Sequence, residues 1–184
     1  MKSHVRRIVT GHDADGKAVV LMDGPAPNRR VRDVGKIVST LLWATDESPA
    51  DISRSDDRAE RESRVAPPAN GTVLRIVDFP PEKEAGPVDN AAMLKEMGLG
   101  DAAAPARHPN MHRTKSVDYA IVLEGEIDML LDDSEVHMEA GDVMIQQGTN
   151  HAWVNRGDRM CRIAFVLIDG EEPPAWKKRP VEGH

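Results

Sequence analysis

The last third of the chain consists of short β-rich runs that are separated by turn signals at close, regular steps. The breaks between the runs carry Gly, Asp, Asn or Ser. The runs are 119–123, 127–131, 136–139, 143–146, 151–155 and 160–168. Strands with turn signals at steps of about 8–12 residues predict an antiparallel sandwich or barrel. No glycine-rich phosphate loop follows a strand, so a nucleotide-binding α/β fold is disfavoured.

The first half of the sequence predicts more of the same sheet rather than a second domain. Its β-rich runs are 5–10, 18–22, 37–43 and 72–79. One short helix is predicted over 89–97, where an acidic residue precedes a helical run that ends at a glycine. The charged stretch 54–64 is interpreted as a loop or a short exposed helix, and the proline-bearing tail 171–184 as extended chain.

Composition limits the partners of the protein. The net charge is −7 and aromatic residues make up 3% of the chain, which disfavours nucleic acid as a partner. No apolar run approaches the ~20 residues of a membrane span, and no secretory signal is visible, so no membrane partner is expected. Cys161 is the single cysteine, which excludes an internal disulfide and fits a cytoplasmic location.

Two short motifs lie within the strand-rich region. The first runs from His112 through Thr114 and Asp118 to a glycine, and the second from a glycine through Gln146 to His151 and an asparagine. At these spacings the chain resembles the cupin superfamily, whose motifs are His-x-His, three or four residues, Glu, six residues, Gly, and Gly, four or five residues, Pro-x-Gly-x-x-His, three residues, Asn. Thr114, Asp118 and Gln146 replace the second His, the Glu and the Pro. The matching positions are His112, Gly125, Gly141, Gly148, His151 and Asn155.

The resemblance covers roughly residues 105–170, and it implies an all-β protein with a cupin-type antiparallel β-barrel or jelly roll. We expect one domain over 1–184. The strands within 1–85 would complete or flank the barrel, and 105–170 would form its core together with the one short helix. No internal repeat is convincing, so a two-barrel protein is disfavoured. Because the N-terminal strands have sheet edges to cover, we also expect the homodimer that is common in cupins.

The resemblance implies that His112, Asp118 and His151 converge inside the barrel to hold a divalent metal ion (Fe, Zn, Mn, Ni or Co). Two imidazoles and one carboxylate form a ligand set that leaves positions open for substrate, water or dioxygen. Thr114 and Gln146 would then act as catalytic residues that orient substrate or water. Trp153 and Asn155 share a face with His151 and would bind substrate.

Three functional classes are consistent with such a barrel. The first is a metal-dependent enzyme of the dioxygenase, lyase, isomerase or decarboxylase class that acts on a small carbonyl- or hydroxyl-bearing molecule. The second is a metal-free binding or sensor protein with the same pocket. The third, a transcriptional regulator, is disfavoured because no pair of basic helices suited to a DNA groove is present.

Other candidate residues also have simple structural interpretations. His108 lies between prolines, so it is interpreted as a rim histidine rather than as a helical partner of His112. His137 is predicted to face solvent, because its apolar neighbours must take the core. Trp153 is equally consistent with a pocket wall and with ordinary core packing.

Overall fold

Antiparallel β-strands dominate the computed structural model, which describes residues 4–33, 35–62, 64–86, 89–98 and 107–174. Two short helices, α1 and α2, lie between the fifth and sixth strands. In chain order the elements are β1 (Arg6–His12), β2 (Ala18–Pro25), β3 (Asn28–Val31), β4 (Val38–Thr45), β5 (Thr72–Phe79), α1 (Glu82–Ala85), α2 (Asn90–Met97), β6 (Ser116–Glu124), β7 (Glu126–Leu130), β8 (Glu135–Glu139), β9 (Val143–Gln147), β10 (Ala152–Val154) and β11 (Cys161–Asp169).

The strands form three sheets. A six-stranded sheet has the order β3-β4-β5-β11-β6-β9, and a three-stranded sheet has the order β10-β7-β8. Strands β1 and β2 pair with each other as a separate hairpin. Every strand pair in the described residues is antiparallel. The predicted all-β antiparallel fold is confirmed, and strands β3 to β5 of the N-terminal half join the sheet that contains β6, β9 and β11.

Inward-facing side chains of both sheets form the apolar core, to which strands β4 to β8, β10 and β11 contribute. Within β6 the residues that face inward are Ser116, Asp118, Ala120 and Val122, because successive strand residues point to opposite faces. Ile163 on β11 is fully buried, and a completely buried side chain of this size contributes roughly 1.5–3 kcal/mol through the hydrophobic effect. Polar Asp118 therefore lies on the same inward face as apolar neighbours.

Gly125 forms the tight turn between β6 and β7. Its φ is 80°, and a Cβ added there would lie 2.7 Å from the carbonyl oxygen of Met160. A side chain at this position would clash with main chain, which cannot move out of the way as a flexible side chain can. The glycine of the first motif therefore allows β6 to turn directly into the small sheet.

A main-chain bridge between His112 and His151 joins the two motifs. Each residue donates its N–H to the carbonyl oxygen of the other at 2.9 Å. His112 leads into β6 of the large sheet, whereas His151 leads into β10 of the small sheet. The bridge therefore connects the two sheets at one end and places the two imidazoles next to each other.

The predicted helix is present, and of the two interpretations of 54–64, loop or short helix, the loop is observed. The predicted helix over 89–97 is confirmed as α2, in which the Asp89 side chain accepts from Ala92 N and Gly98 ends the helix in a left-handed conformation. The described residues of 54–64 contain no helix. This charged stretch instead follows the surface as a loop, tied down where Arg58 pairs with Asp46 at 2.9 Å.

Two elements of the structure, β3 and α1, were not predicted from the sequence. Strand β3 is mostly polar and lies at the edge of the large sheet, and α1 is a single turn; neither carries an apolar period. Residues 175–184 of the tail lie outside the described residues. No helix in the described ranges is long and apolar enough to cross a membrane.

Candidate functional site

A cavity of about 90 Å³ opens between the two sheets beside the His112–His151 bridge. At roughly 15 Å³ for each ordered water, it has room for about six waters or a small organic molecule. Helix α2 contributes Met93 and Met97 to its wall, and β10 and β11 contribute Trp153 and Phe165. The wall is mostly apolar, with a few polar and charged side chains, as is usual for small-molecule sites.

His112 and His151 lie side by side in the cavity wall, with ring centroids 4.4 Å apart. Burial lowers the pKa of His112 to about 4, and the positive charge of Arg32 acts in the same direction. Burial lowers the pKa of His151 to about 3, with a further contribution from His112. Both imidazoles are therefore neutral at physiological pH.

Main-chain and side-chain partners orient the two rings. The Nδ1–H of His112 donates to the carbonyl oxygen of Asn110 at 2.8 Å, which leaves Nε2 as an acceptor. Nδ1 of His151 lies 3.0 Å from both the carbonyl oxygen of Thr149 and Nε2 of Gln146. The carbonyl requires a proton on Nδ1, whereas the amide N–H requires a lone pair there, so the two contacts favour opposite tautomers of His151.

A chain of hydrogen bonds surrounds the carboxyl group of Asp118. Thr114 Oγ1 donates to Ser116 Oγ at 2.8 Å, and Ser116 Oγ donates to Asp118 Oδ1 at 2.6 Å. Gln146 Nε2 donates to Asp118 Oδ2 at 3.4 Å. Burial raises the pKa of Asp118 to about 6, although the Ser116 hydrogen bond and the charge of Arg75 act against this shift. Asp118 is therefore a carboxyl that titrates near neutral pH.

Gln146 connects this carboxyl to the histidine pair. It is 2% exposed, it contacts both Asp118 and His151, and its Oε1 has no partner. When the amide donates to both the carboxylate and Nδ1 of His151, the proton of His151 lies on Nε2; when Nδ1–H of His151 donates to Thr149 O, the amide cannot donate to Nδ1. A change of charge on Asp118 can therefore alter the tautomer of His151 through one amide group.

Two arginines and a serine form a polar side of the cavity that sequence reasoning missed. Arg75 is 4% exposed and Ser39 is 5% exposed, and both line the cavity together with half-buried Arg32. Burial lowers the pKa of Arg75 to about 10, which still leaves it charged at neutral pH. The sequence did contain a signal for an inward-facing Arg75, because alternation along the strand places it on the same face as Val77, which is buried.

The remaining predicted site residues divide between the cavity and its surroundings. Thr114 is buried in the cavity wall. Trp153 both lines the cavity and packs in the core, where its ring lies 5.6 Å from that of Phe165. Asn155 borders a neighbouring cavity instead, and its side chain donates to the carbonyl oxygens of Phe79 and Arg159. The structure therefore does not bring Asn155 together with the histidines.

The three predicted metal ligands are not arranged as a three-residue site. Across the described ranges, no group of three or more His, Cys, Asp or Glu side chains is placed to hold a metal ion. His112 and His151 are adjacent, but the Asp118 carboxyl is engaged by Ser116 and Gln146. A metal centre with His112, Asp118 and His151 as ligands does not fit this arrangement without movement of Asp118, and it stays a prediction.

The histidines and the cysteine outside the site have local roles. His137 has 53% of its side chain exposed and pairs with Asp128 at 2.8 Å, as predicted for a solvent-facing residue. His108 Nε2 lies 2.8 Å from Glu82 Oε1, on the wall of the neighbouring cavity. Cys161 is buried in β11, and burial raises the pKa of its thiol to about 12. We assign none of the three to the site.

Comparisons with known proteins agree on one family. The family described as "Cupin domain" matches residues 98–168. Phomopsin biosynthesis cluster protein C′ of Diaporthe leptostromiformis is 33% identical over 172 residues, which cover 90% of this chain and 78% of the relative. Cupin-domain-containing oxidoreductase srdD of Neurospora crassa is 29% identical over 185 residues, which cover 97% and 82%.

A solved cupin structure is also similar to the chain. The cupin 2 conserved barrel domain protein of Salinispora arenicola superposes with a TM-score of 0.41 at 13% identity, over 76% of this chain and 82% of that one. The family match and the relative that is 33% identical over most of both chains confirm the resemblance of the two motifs. This chain therefore belongs to the cupin superfamily.

Proposed function

We propose that this protein is a cupin-type enzyme that catalyses a proton transfer, of the isomerase or lyase class, on a small carbonyl-bearing molecule bound in the cavity. One observation carries the proposal. A buried carboxyl with a pKa of about 6 shares a cavity wall with two imidazoles that burial keeps neutral. Groups whose environments move their pKa values apart are typical of acid–base sites.

Asp118 is the residue we assign to the proton transfer. A catalytic acid or base works best when its pKa is close to the working pH, and the pKa of Asp118 is raised towards that range. Ser116 and Gln146 hold its two oxygens in place. Asp118 would take a proton from a carbon next to the substrate carbonyl and return it to a second position.

His151 would act on the carbonyl oxygen as a neutral hydrogen-bond donor, whereas His112 could only accept a hydrogen bond from a hydroxyl or N–H group of the ligand. Nε2 of His112 is an acceptor, and Nε2–H of His151 is a donor when Gln146 donates to its Nδ1. A neutral imidazole that donates to a carbonyl oxygen stabilises the negative charge that develops there. Trp153 and Phe165 would exclude water from this step, which strengthens each hydrogen bond.

Exchange of carbon-bound hydrogen with solvent tests the proposal. The protein is incubated in D₂O with pyruvate, levulinate, cyclohexanone and phenylacetaldehyde, and loss of the signal next to each carbonyl is followed by NMR. We expect exchange by the wild type with at least one compound, and a rate about 10²- to 10⁴-fold lower for Asp118→Asn. Asp128→Asn is the matched control, because Asp128 pairs with His137 and Arg156 and does not line the cavity.

Retained exchange in Asp118→Asn, with folding verified by a thermal melt, would refute the role of Asp118. Binding of one of these compounds without exchange would favour the alternative function, a metal-free binding or sensor protein. The same assay after dialysis against a chelator separates the acid–base reaction from a metal-dependent one, since the acid–base reaction should be insensitive to chelation.

A metal-dependent oxidoreductase is the second candidate. The name of the Neurospora crassa relative supports an oxidoreductase, and the anchoring of His112 through Nδ1 supports a metal ligand, since ligand histidines are commonly held in this way. A third ligand would have to come from a rearranged Asp118. Purification without chelator, followed by elemental analysis for iron, zinc, manganese, nickel and cobalt, tests it. Metal well below one ion per protomer would count against this candidate.

We also propose that the protein forms a homodimer. Hairpin β1–β2 exposes Ile8 and Val20, and a two-stranded hairpin is marginally stable alone. Edge strand β9 exposes Val143 and Ile145 beside exposed Tyr119 of β6. A second copy that packs its hairpin across this face would cover both apolar surfaces.

A further inference from the structure

We infer that the ligand of this cavity carries a carboxylate group, which Arg75, Ser39 and Arg32 bind on the side formed by β4 and β5. The inference rests on the proposed function in that the carboxylate belongs to the substrate of the same site. It adds what the proposed reaction leaves open, namely the group by which the cavity selects and orients its ligand.

The guanidinium of Arg75 is buried and forms no direct ion pair with a carboxylate of the described residues, although the charge of Asp118 acts on it electrostatically. Its Nη2 donates to the carbonyl oxygens of Arg64 and Val65 at 2.7 Å each, and its Nε has no partner. No ion pair within the described ranges includes Arg75. A buried charge without a partner is strongly unfavourable, so an anionic ligand that contacts this group gains from the unmet interaction.

Ser39 supplies a second unpaired donor on the same face. Its Oγ is buried and has no partner. In the pairing of β4 with β5, Leu41 lies opposite Arg75 and Ser39 lies opposite Val77. Ser39 and Arg75 are therefore diagonal neighbours across two strands, and diagonal neighbours are typically about 7–8 Å apart. One carboxylate between them can accept from both.

Arg32 adds a second positive charge to the same cavity. Its main-chain N–H donates to Ile37 O, which fixes it at the turn between β3 and β4. It lines the cavity together with Arg75 and His112, and its charge lowers the pKa of both. Asp118 lines the same cavity and its charge acts on Arg75, whereas the carboxylate whose charge acts on Arg32 is Glu96.

The charge of the cavity is opposite to that of the protein. The chain as a whole carries −7, whereas the cavity wall contains two guanidiniums, one carboxyl and two neutral imidazoles. A positive site with apolar walls concentrates small anions and disfavours neutral molecules of the same shape. The planar guanidinium suits a planar carboxylate, and the small volume favours a compact acid.

Isothermal titration calorimetry with benzoate, benzamide and inorganic phosphate tests this inference without turnover. We expect wild-type protein to bind benzoate saturably and its neutral isostere benzamide at least about tenfold more weakly. Arg32→Gln and Ser39→Ala should each weaken benzoate binding by about tenfold to a hundredfold, as the loss of a hydrogen bond to a charged group predicts. Arg159→Gln is the matched control, because that side chain is 86% exposed.

Arg75→Lys retains the charge but loses the planar donors, so we expect it to weaken benzoate binding as well. If Arg75→Lys does not fold, the Arg32 and Ser39 variants still decide the outcome. Equal affinity for benzoate and benzamide, tighter binding of phosphate, or unchanged binding in both Arg32→Gln and Ser39→Ala would overturn the inference. Benzoate binding without any proton exchange would overturn the proposed reaction alone.

Discussion

The buried neutral imidazole of His151 should make the fold sensitive to acid. In the unfolded chain the pKa of a histidine is about 6.5, whereas burial in the folded protein lowers the pKa of His151 to about 3. Below pH 6.5 the unfolded state therefore binds more protons than the folded state, and the free energy of unfolding falls as the pH falls. The stabilising contribution is present above pH 6.5 and is lost progressively down to about pH 3.

The magnitude between pH 7 and pH 5 follows from the pKa in the unfolded state alone. Because the folded-state pKa of His151 lies well below 5, the folded imidazole stays neutral across this range. Protonation of the unfolded histidine then lowers the free energy of unfolding by about 2 kcal/mol. His151 is 3% exposed, so solvent screening does not reduce this value substantially.

Two neighbouring groups modify the wild-type response with known signs. His112, whose pKa is lowered to about 4, adds a loss of stability on acidification. Asp118 acts in the opposite direction, because its pKa is raised from an ordinary 3.8 to about 6. Its contribution is present below about pH 3.8 and is lost as the pH rises through 6. A comparison of variants separates the part that belongs to His151.

Urea unfolding of wild type and His151→Gln at pH 7 and pH 5 measures the contribution of His151 to the loss of unfolding free energy. The variant should lose about 2 kcal/mol less than wild type between the two pH values, whatever its stability at pH 7. His137→Gln is the control with the opposite sign: the hydrogen bond to Asp128 raises the pKa of His137, so its removal should not reduce the acid loss. An equal loss for His151→Gln and wild type would refute the argument from burial.

Three further outcomes are expected. Ile163→Ala, at a fully buried position of β11, should lower the free energy of unfolding by about 2–5 kcal/mol in urea titrations, and a loss below about 1 kcal/mol would contradict the core assignment. Light scattering at micromolar concentration should give the mass of two protomers, and Ile145→Lys on β9 should shift it to one; a wild-type monomer would contradict the dimer. Thr114→His should raise the nickel or zinc bound per protomer after dialysis, because it restores a third ligand beside His112 and His151. An unchanged metal content would mean that a histidine at position 114 does not complete a metal site with these two histidines.

The sequence by itself determined the class of fold and the position of the site. Periodicity and turn residues predicted the strand at Thr72–Phe79 with its observed bounds, and the resemblance of the two motifs to those of cupins implied that His112 and His151 would meet. These inferences succeed because alternation and turn chemistry are local properties. Gly125 shows this well, since its positive φ and its contact with main chain require a residue without a side chain.

The charged stretch 54–64 and strand β3 required the tertiary structure. Arg58 is buried against Asp46 and Ala44 in a loop, although the same charged sequence is compatible with an exposed helix. Strand β3 exists because edge pairing with β4 satisfies its main chain, not because of an apolar pattern. Such pairings connect segments through contacts that no local window contains.

The chemistry of the site was also decided by tertiary structure. The resemblance to cupins implied that Asp118 lies with the two histidines, but the fold joins its carboxyl to Ser116 and Gln146 and raises its pKa by burial. In the sequence, Arg75 is a charged residue within a mostly apolar predicted strand. Its burial, with an Nε that has no hydrogen-bond partner, depends on how β4 and β5 pair and on the residues that close the cavity over this sheet. Burial and long-range neighbours set the charge of a side chain, and both arise only when the sheets close around the cavity.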